Sequence, residues 1–310
     1  MNMSISRIRG VRALVTGGAG FIGSNLVDAL IARGDSVDIV DNLSSGKREN
    51  VHAQARLHVQ DIREPLEELF SELRPEVCFH LAAQADVRVS VERPDYDAEV
   101  NVIGTVHVLE AARSVGARVV FASSGGAIYG ECDEPADESS ERRPLAPYGT
   151  AKLAGEEYLL TYQRLHGMAN VVLRFANVFG PRQDPNGEAG VVAIFLGRLR
   201  DGETCLIFGD GEQERDYVFV GDVVAAALAA AGVEGGVYNV GTGRATSVIE
   251  LYDLCRKVAG SELAAKHDPP RAGELQRSVL DVSKAADELS WRPGTSLEEG
   301  LRQTWNWIRA

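Results

Sequence analysis

Tyr148 and Lys152 stand four residues apart in the stretch YGTAK. That spacing stacks two side chains on one face of a helix. Pro147, immediately before them, suits a helix start. A free phenol has a pKa of about 10 and is a poor base at neutral pH. An ammonium about 4 Å away, at an effective dielectric of about 20, favours the phenolate by up to about 4 kcal/mol. This is a factor of roughly a thousand in the ionisation equilibrium, enough to let a phenol take a proton from an alcohol and return it. The plainer alternative is a solvated Tyr and Lys on an outer helix face. Ser123 and Ser124 close the apolar run that precedes this segment. A hydroxyl there can bind a substrate oxygen and relay its proton, although a strand-end serine is also a common turn former.

A second group of residues has the chemistry of phosphate binding. Gly17, Gly20 and Gly23 are spaced G-x-x-G-x-x-G between an apolar run and an amphipathic stretch. The first glycine permits a tight turn, the second admits backbone close to a pyrophosphate, and the third lets helix and strand pack closely. The helix N-terminus adds free N–H groups and partial positive charge. Asp41 ends the next apolar run, 18 residues after Gly23. A carboxylate there accepts hydrogen bonds from a ribose diol and repels a 2′-phosphate, which favours NAD over NADP. A loop glycine cluster with a capping Asp is the bland alternative.

The elements that must carry these groups follow from the apolar pattern. Strand-like runs lie at 11–16, 36–40, 57–59, 77–80, 118–123, 171–175 and 237–240. Helical patterns at 24–33, 65–73, 98–115, 151–165 and 222–231 separate most of them. This alternation predicts an α/β fold, a Rossmann-type doubly wound parallel sheet with a smaller C-terminal substrate-binding part. The division expected is 1–175 for the NAD-binding domain, with 214–242 returning to it, and 176–310 mainly for substrate. The 180–190 stretch reads as a long loop rich in Gly and Pro.

Composition narrows the function classes. The chain has 310 residues, 45% hydrophobic and 25% charged, as expected of a soluble globular protein. A formal net charge of −13 argues against nucleic-acid binding. No apolar stretch reaches the roughly 18 residues of a membrane span, and no signal peptide is read at the N-terminus. Cys78, Cys132, Cys205 and Cys255 form no metal or redox pattern, so reduced thiols and a cytoplasmic location are expected.

Taken together, the chain resembles the extended short-chain dehydrogenase/reductase family, and within it the UDP-glucose 4-epimerase-like nucleotide-sugar epimerases. The motifs that carry this are TGGAGFIGSNLV (16–27), DNLSSGK (41–47), HLAAQADV (80–87), SSGGAIYG (123–130), YGTAK (148–152), FANVFGPRQDPNGEAGVVAIF (175–195), RDYVFVGDV (215–223), YNVGTG (238–243) and PRAGELQRSVLD (270–281). The resemblance implies Ser124, Tyr148 and Lys152 as the catalytic set. It implies an NAD site made by Gly17, Gly20, Phe21, Ile22, Gly23, Asp41, Asn42, Asp61, Ile62, Leu81, Ala82, Ala83, Asn101, Ser123, Tyr148, Lys152 and Phe175. It implies a UDP-sugar site made by Ser124, Asn177, Val191, Leu206, Phe208, Arg215, Arg271 and Glu274. It further implies a homodimer, formed through the helices at 98–115 and 151–165 if their outer faces are apolar.

The activity so implied is inversion at C4 of a UDP-hexose: hydride removal to NAD, rotation of a 4-keto sugar, and hydride return to the other face. Three departures from the family pattern stand out. Ser124 lies five residues before Tyr129, where four is usual, so Ser123 is an alternative hydroxyl. Ala85 stands where some epimerases carry lysine. Ser278 stands where glucose-restricted members carry tyrosine, which leaves room for N-acetylated sugars. A UDP-uronate 4-epimerase shares the mechanism. A nucleotide-sugar 4,6-dehydratase would need an Asp-Glu pair where Gly125 and Gly126 stand. A non-catalytic NAD-binding module would be expected to have lost Tyr148 or Lys152.

Overall fold

Seven short apolar runs pair into one parallel sheet. The computed structural model describes residues 10–185, 190–271 and 275–310. The strands are β1 (Arg12–Thr16), β2 (Ser36–Asp41), β3 (Arg56–Val59), β4 (Val77–His80), β5 (Arg118–Ser124), β6 (Val171–Phe175) and β7 (Gly236–Val240), in the order β7-β6-β5-β4-β1-β2-β3. Side chains alternate across a strand, so β1 sends Ala13 and Val15 into one core and Leu14 into the other. Because both faces are covered, the strands read as continuous apolar runs.

The helices that cover the sheet are α1 (Phe21–Arg33), α2 (Glu67–Leu73), α3 (Gly104–Val115), α4 (Pro147–His166), α5 (Val191–Arg200) and α6 (Val220–Ala230). Helix α1 packs with α6 on one face, and α2 and α4 with α3 on the other. Leu26, Val27 and Leu30 of α1 join Val223 and Ala227 of α6 in the first core. Phe70, Val108, Leu109 and Leu159 fill the second. The stretch before α3 is already helical from Pro94, but Glu99–Ile103 winds as a π-helix. Such a wide turn shifts the helix face and often marks a functional site; here it carries the buried Asn101.

The chain after β6 builds a third core from Phe179, Phe195, Leu196, Tyr217, Leu251 and Leu301, with α5, Val248–Ala259 and Leu297–Ile308 around it. Its strands are short. Glu214–Arg215 lies between Thr246–Ser247 and Arg277–Ser278, and Leu206–Phe208 pairs with Lys266–Asp268. Between α5 and the helix Val248–Ala259 the chain returns to the sheet as α6 and then β7. Strand order reverses at β1, which has β2 on one side and β4 on the other. A crevice therefore opens above the carboxyl ends of β1 and β4, the place where such sheets take ligands.

Candidate active site

The glycine turn sits in that crevice. Gly17 has φ +71° and its absent Cβ would lie 2.7 Å from the Ala82 nitrogen, so only glycine fits there. A Cβ on Gly23 would lie 2.1 Å from the Gly17 carbonyl oxygen. These two absences let α1 start directly against the end of β1. Gly20 is the N-cap of α1 and supplies no side-chain cap. The first N–H groups of the helix are thereby left to a ligand, Phe21 and Ile22 forming its first turn.

Asp41 closes the turn from the β2 side. Its carboxylate accepts from the Ala19 nitrogen at 2.9 Å and from the Leu43 nitrogen at 2.8 Å. It is buried to 7% exposure, with its oxygens against Gly46. Asn42 donates to Asp61 at 2.9 Å. The Arg63 guanidinium beside Asp61 holds that carboxyl down at about 2. Ile62 is buried under Gly104. Leu81 and Ala82 donate their N–H groups to the Thr16 carbonyl and hydroxyl, both at 3.2 Å, and Ala83 follows in the same irregular segment. These residues gather at the carboxyl ends of β1, β2 and β4 around the start of α1, where free backbone donors and a carboxylate suit a dinucleotide.

Tyr148 and Lys152 come together beside the carboxyl end of β5. Lys152 is only 3% exposed, and its Nζ donates to the Ala122 carbonyl at 2.9 Å. The same ammonium lies 5.9 Å from the centre of the Tyr148 ring and 4.9 Å from that of Phe121. A buried lysine held by a carbonyl and by ring faces keeps its charge close to the phenol, where solvent screens it poorly. This is not the solvated pair of an outer helix face. His80 is buried nearby, and burial and then the Lys152 charge hold it down to about 3. Its ring nitrogens meet the Thr16 and Thr105 hydroxyls at 2.7 and 3.0 Å.

The two serines have different surroundings. Ser123 is buried and donates its hydroxyl to Glu156 at 2.5 Å. Ser124 is half-buried and stands at the N-cap position of the single turn Gly125–Ile128, with no side-chain cap bond. Ser124 stands opposite Phe175 in the β5–β6 register. Asn177 begins the strand Asn177–Phe179, and its Oδ1 lies 3.6 Å from where a Cβ on Gly126 would be. Asn101, buried, clasps Gln84 by accepting from its nitrogen and donating to its carbonyl at 3.0 and 2.8 Å. It also donates to the buried Asp97, whose carboxyl is raised by burial.

Farther out, Val191 is the first residue of α5, and Leu206 and Phe208 bound one short strand. The Arg271 guanidinium lies 3.8 Å over the Phe208 ring. Arg215 donates to the Leu275 carbonyl at 2.7 Å and pairs in register with Ser278. Glu274 lies outside the described residues. Sequence reasoning passed over His80, Asp97, Glu156 and Arg174. For two of these a signal existed: Glu156 continues the four-residue step of Tyr148 and Lys152, and Arg174 interrupts the wholly buried run VVLRF.

The model of the NAD dependent epimerase/dehydratase family matches residues 13–241. The chain belongs to that family. Its relatives include the putative UDP-glucose 4-epimerase of Methanocaldococcus jannaschii, 46% identical over 299 residues, covering 96% of this chain and 98% of the relative. The UDP-glucose 4-epimerase of Thermotoga maritima, solved with UDP-glucose, superposes with a TM-score of 0.94 at 49% identity, covering 96% of this chain and 98% of that one. The Thermus thermophilus enzyme, solved as a complex with NAD, gives 0.91 at 47% identity, with 96% and 99% covered. For this epimerase/dehydratase family member NAD is the cofactor, and the glycine turn, the uncapped α1 and Asp41 fit it. Among the described residues no helix is long and apolar enough to cross a membrane, and no cluster of His, Cys, Asp and Glu is arranged to hold a metal ion.

Proposed function

We propose that this chain is an isomerase that interconverts UDP-glucose and UDP-galactose by inverting C4 of the sugar. The observation that carries this is the Lys152 ammonium, buried 5.9 Å from the centre of the Tyr148 ring beside the end of β5. When bound, NAD supplies a reversible hydride acceptor at the sugar carbon. The chain's own residues do the rest. Gly17, Gly20, Gly23 and the start of α1 hold the cofactor's pyrophosphate. Asp41 takes the adenosine ribose, with Asn42, Asp61 and Ile62 on the adenine side. Leu81, Ala82, Ala83, Asn101 and Phe175 line the rest of the cofactor site. Tyr148 Oη takes the 4-hydroxyl proton, directly or through Ser124 Oγ, and returns it after the sugar turns. Lys152 keeps that phenol ionisable.

Ser124 is the relay because the Ser123 hydroxyl is already donated to Glu156. Arg215 and Arg271 hold the diphosphate through several charged donors each. Asn177, Val191, Leu206 and Phe208 enclose the nucleotide, and Glu274 belongs with them. Anchoring UDP while the hexose stays loosely held lets a 4-keto sugar present either face. A dehydratase has less support: it needs an Asp-Glu pair, and glycines stand at 125 and 126.

A broader substrate range is favoured by Ser278, which is small, buried, and paired in register with Arg215. N-acetylated UDP-hexoses should therefore also turn over. The test is incubation with UDP-galactose and no added NAD. UDP-glucose should form, and Tyr148→Phe should lower the rate at least a hundredfold while NAD stays bound (~10² to 10⁴ is the usual worth of a general base). Conversion of uronate or N-acetyl sugars alone would replace the named substrate. Undiminished turnover by Tyr148→Phe would remove the base. The physiological form is read as a cytoplasmic homodimer.

A further inference from the structure

Tyr148, Lys152 and Glu156 succeed one another at four-residue steps along α4. The first two have tasks; Glu156 has none so far. It is fully buried, and so is Arg174, at 0% and 2% exposure. Arg174 Nε donates to both carboxylate oxygens at 3.0 and 3.2 Å, and Nη2 to Oε2 at 2.7 Å. Burying two charges costs desolvation that their attraction often fails to offset, and apolar residues of like volume are commonly as stable. Stability alone therefore does not account for this pair.

What the pair adds is direction at the end of β5. Glu156 Oε1 accepts from the Ser123 hydroxyl, one residue before Ser124. One turn earlier on α4, Lys152 Nζ donates to the Ala122 carbonyl. Successive turns of the helix thus hold successive residues of the strand, and the next residue is Ser124. On its other side, Arg174 Nη1 donates to the Tyr129 hydroxyl at 2.7 Å, and that hydroxyl donates to Asn239 at 2.8 Å. Tyr129 follows the turn at whose N-cap position Ser124 stands. Ser124 is therefore clamped before and after, and both clamps meet at one guanidinium.

We infer that Glu156 and Arg174 are positioning residues, which fix the Ser124 hydroxyl against the Tyr148 phenol by holding Ser123 and Tyr129. This rests on the reading of Ser124 and Tyr148 as the proton-handling groups. Proton transfer is steep in distance, and a displacement of about 1 Å can cost roughly a hundredfold in rate.

The test is the double variant Glu156→Leu/Arg174→Met, which replaces the pair with apolar side chains, alongside Ser123→Ala. Rates are taken per UDP-binding site, so that unfolded protein does not count. The double variant should keep its melting temperature within a few degrees, its NAD content and its KM for UDP-galactose. Its kcat should fall by tenfold or more. Ser123→Ala should lower kcat at unchanged KM by a smaller factor. A folded double variant with wild-type kcat overturns the inference. If the double variant does not fold, Ser123→Ala decides alone: wild-type kcat overturns it, and a fall at constant KM sustains it. Tyr148→Phe and Ser124→Ala are measured in parallel. Should those two retain turnover, the assignment of the reacting groups is what has failed, visibly apart from the clamp.

Discussion

His80 shows how far one side chain can be forced by its place. It ends β4, directly under the floor of the site, with the Phe121 ring 5.5 Å away and hydroxyls on both ring nitrogens. Burial and the Lys152 charge both oppose a second proton, so the folded protein keeps the ring neutral down to about pH 3. The unfolded chain binds that proton near pH 6.5. Between these values the unfolded state carries one more proton than the folded state. Stability conferred by the neutral ring is complete above about pH 6.5 and is lost as pH falls toward 3, by about 1.4 kcal/mol per pH unit for this one group. His80→Gln, which keeps a donor and an acceptor, should flatten the acid limb of a urea-midpoint profile while lowering stability at pH 7. An unchanged acid slope in the variant would mean that His80 is not the group lost. Asp97 is buried in the same region, and burial raises its carboxyl.

At the scale of elements, the junction of β1 and α1 has the least slack. A Cβ on Gly23 would lie 2.1 Å from the Gly17 oxygen, whereas one on Gly20 would lie 3.2 Å from its nearest neighbour. Gly23→Ala must push α1 off the turn, at a cost of about 1–3 kcal/mol typical of overpacking. The helix N-terminus would then withdraw from the pyrophosphate. Purified Gly23→Ala should carry less NAD, measured after acid release, and melt several degrees lower. Gly20→Ala should be the milder of the two. Equal NAD content in both would contradict this account.

This junction was legible in the sequence because glycine spacing is a local property. So were the seven strands: burial on both faces writes the central ones as apolar runs, and the edge strand β3, RLHV, is partly exposed. Helix starts were less legible: α1 begins at Phe21, not 24, with Phe21 and Ile22 packed against the third core, and α2 begins at Glu67, not 65. The π-turn at Glu99–Ile103 leaves no mark in a 3.6-residue period. The Ser123–Glu156–Arg174 clamp was hidden for another reason. It depends on strand register, which sets Ser123 opposite Arg174, and no periodicity within one segment states that pairing. Likewise Ser278 meets Arg215 only through a two-residue parallel bridge.

For the whole molecule, the open question is what covers the outer side of α4. Tyr158 and Leu165, seven residues apart on that helix, are 42% and 70% exposed. Val87 and Val91, in the short helix Val87–Glu92 that packs against α4, and Ile103, just before α3, are also exposed. Scattered single apolar residues need no explanation, but several on adjoining helices suit a partner face. A net charge of −13 makes random association of two chains unfavourable, so a stable pair needs such an apolar seam. The seam lies on the side of α4 away from Lys152 and Glu156, and every proposed site residue comes from one chain. Sedimentation equilibrium should therefore give a dimer at micromolar concentration. Leu165→Glu should shift it toward monomer, because a charge placed in a dry interface is costly to desolvate. Turnover per chain should change far less than the association constant. A wild-type protein that sediments as a monomer throughout would leave this face to another partner.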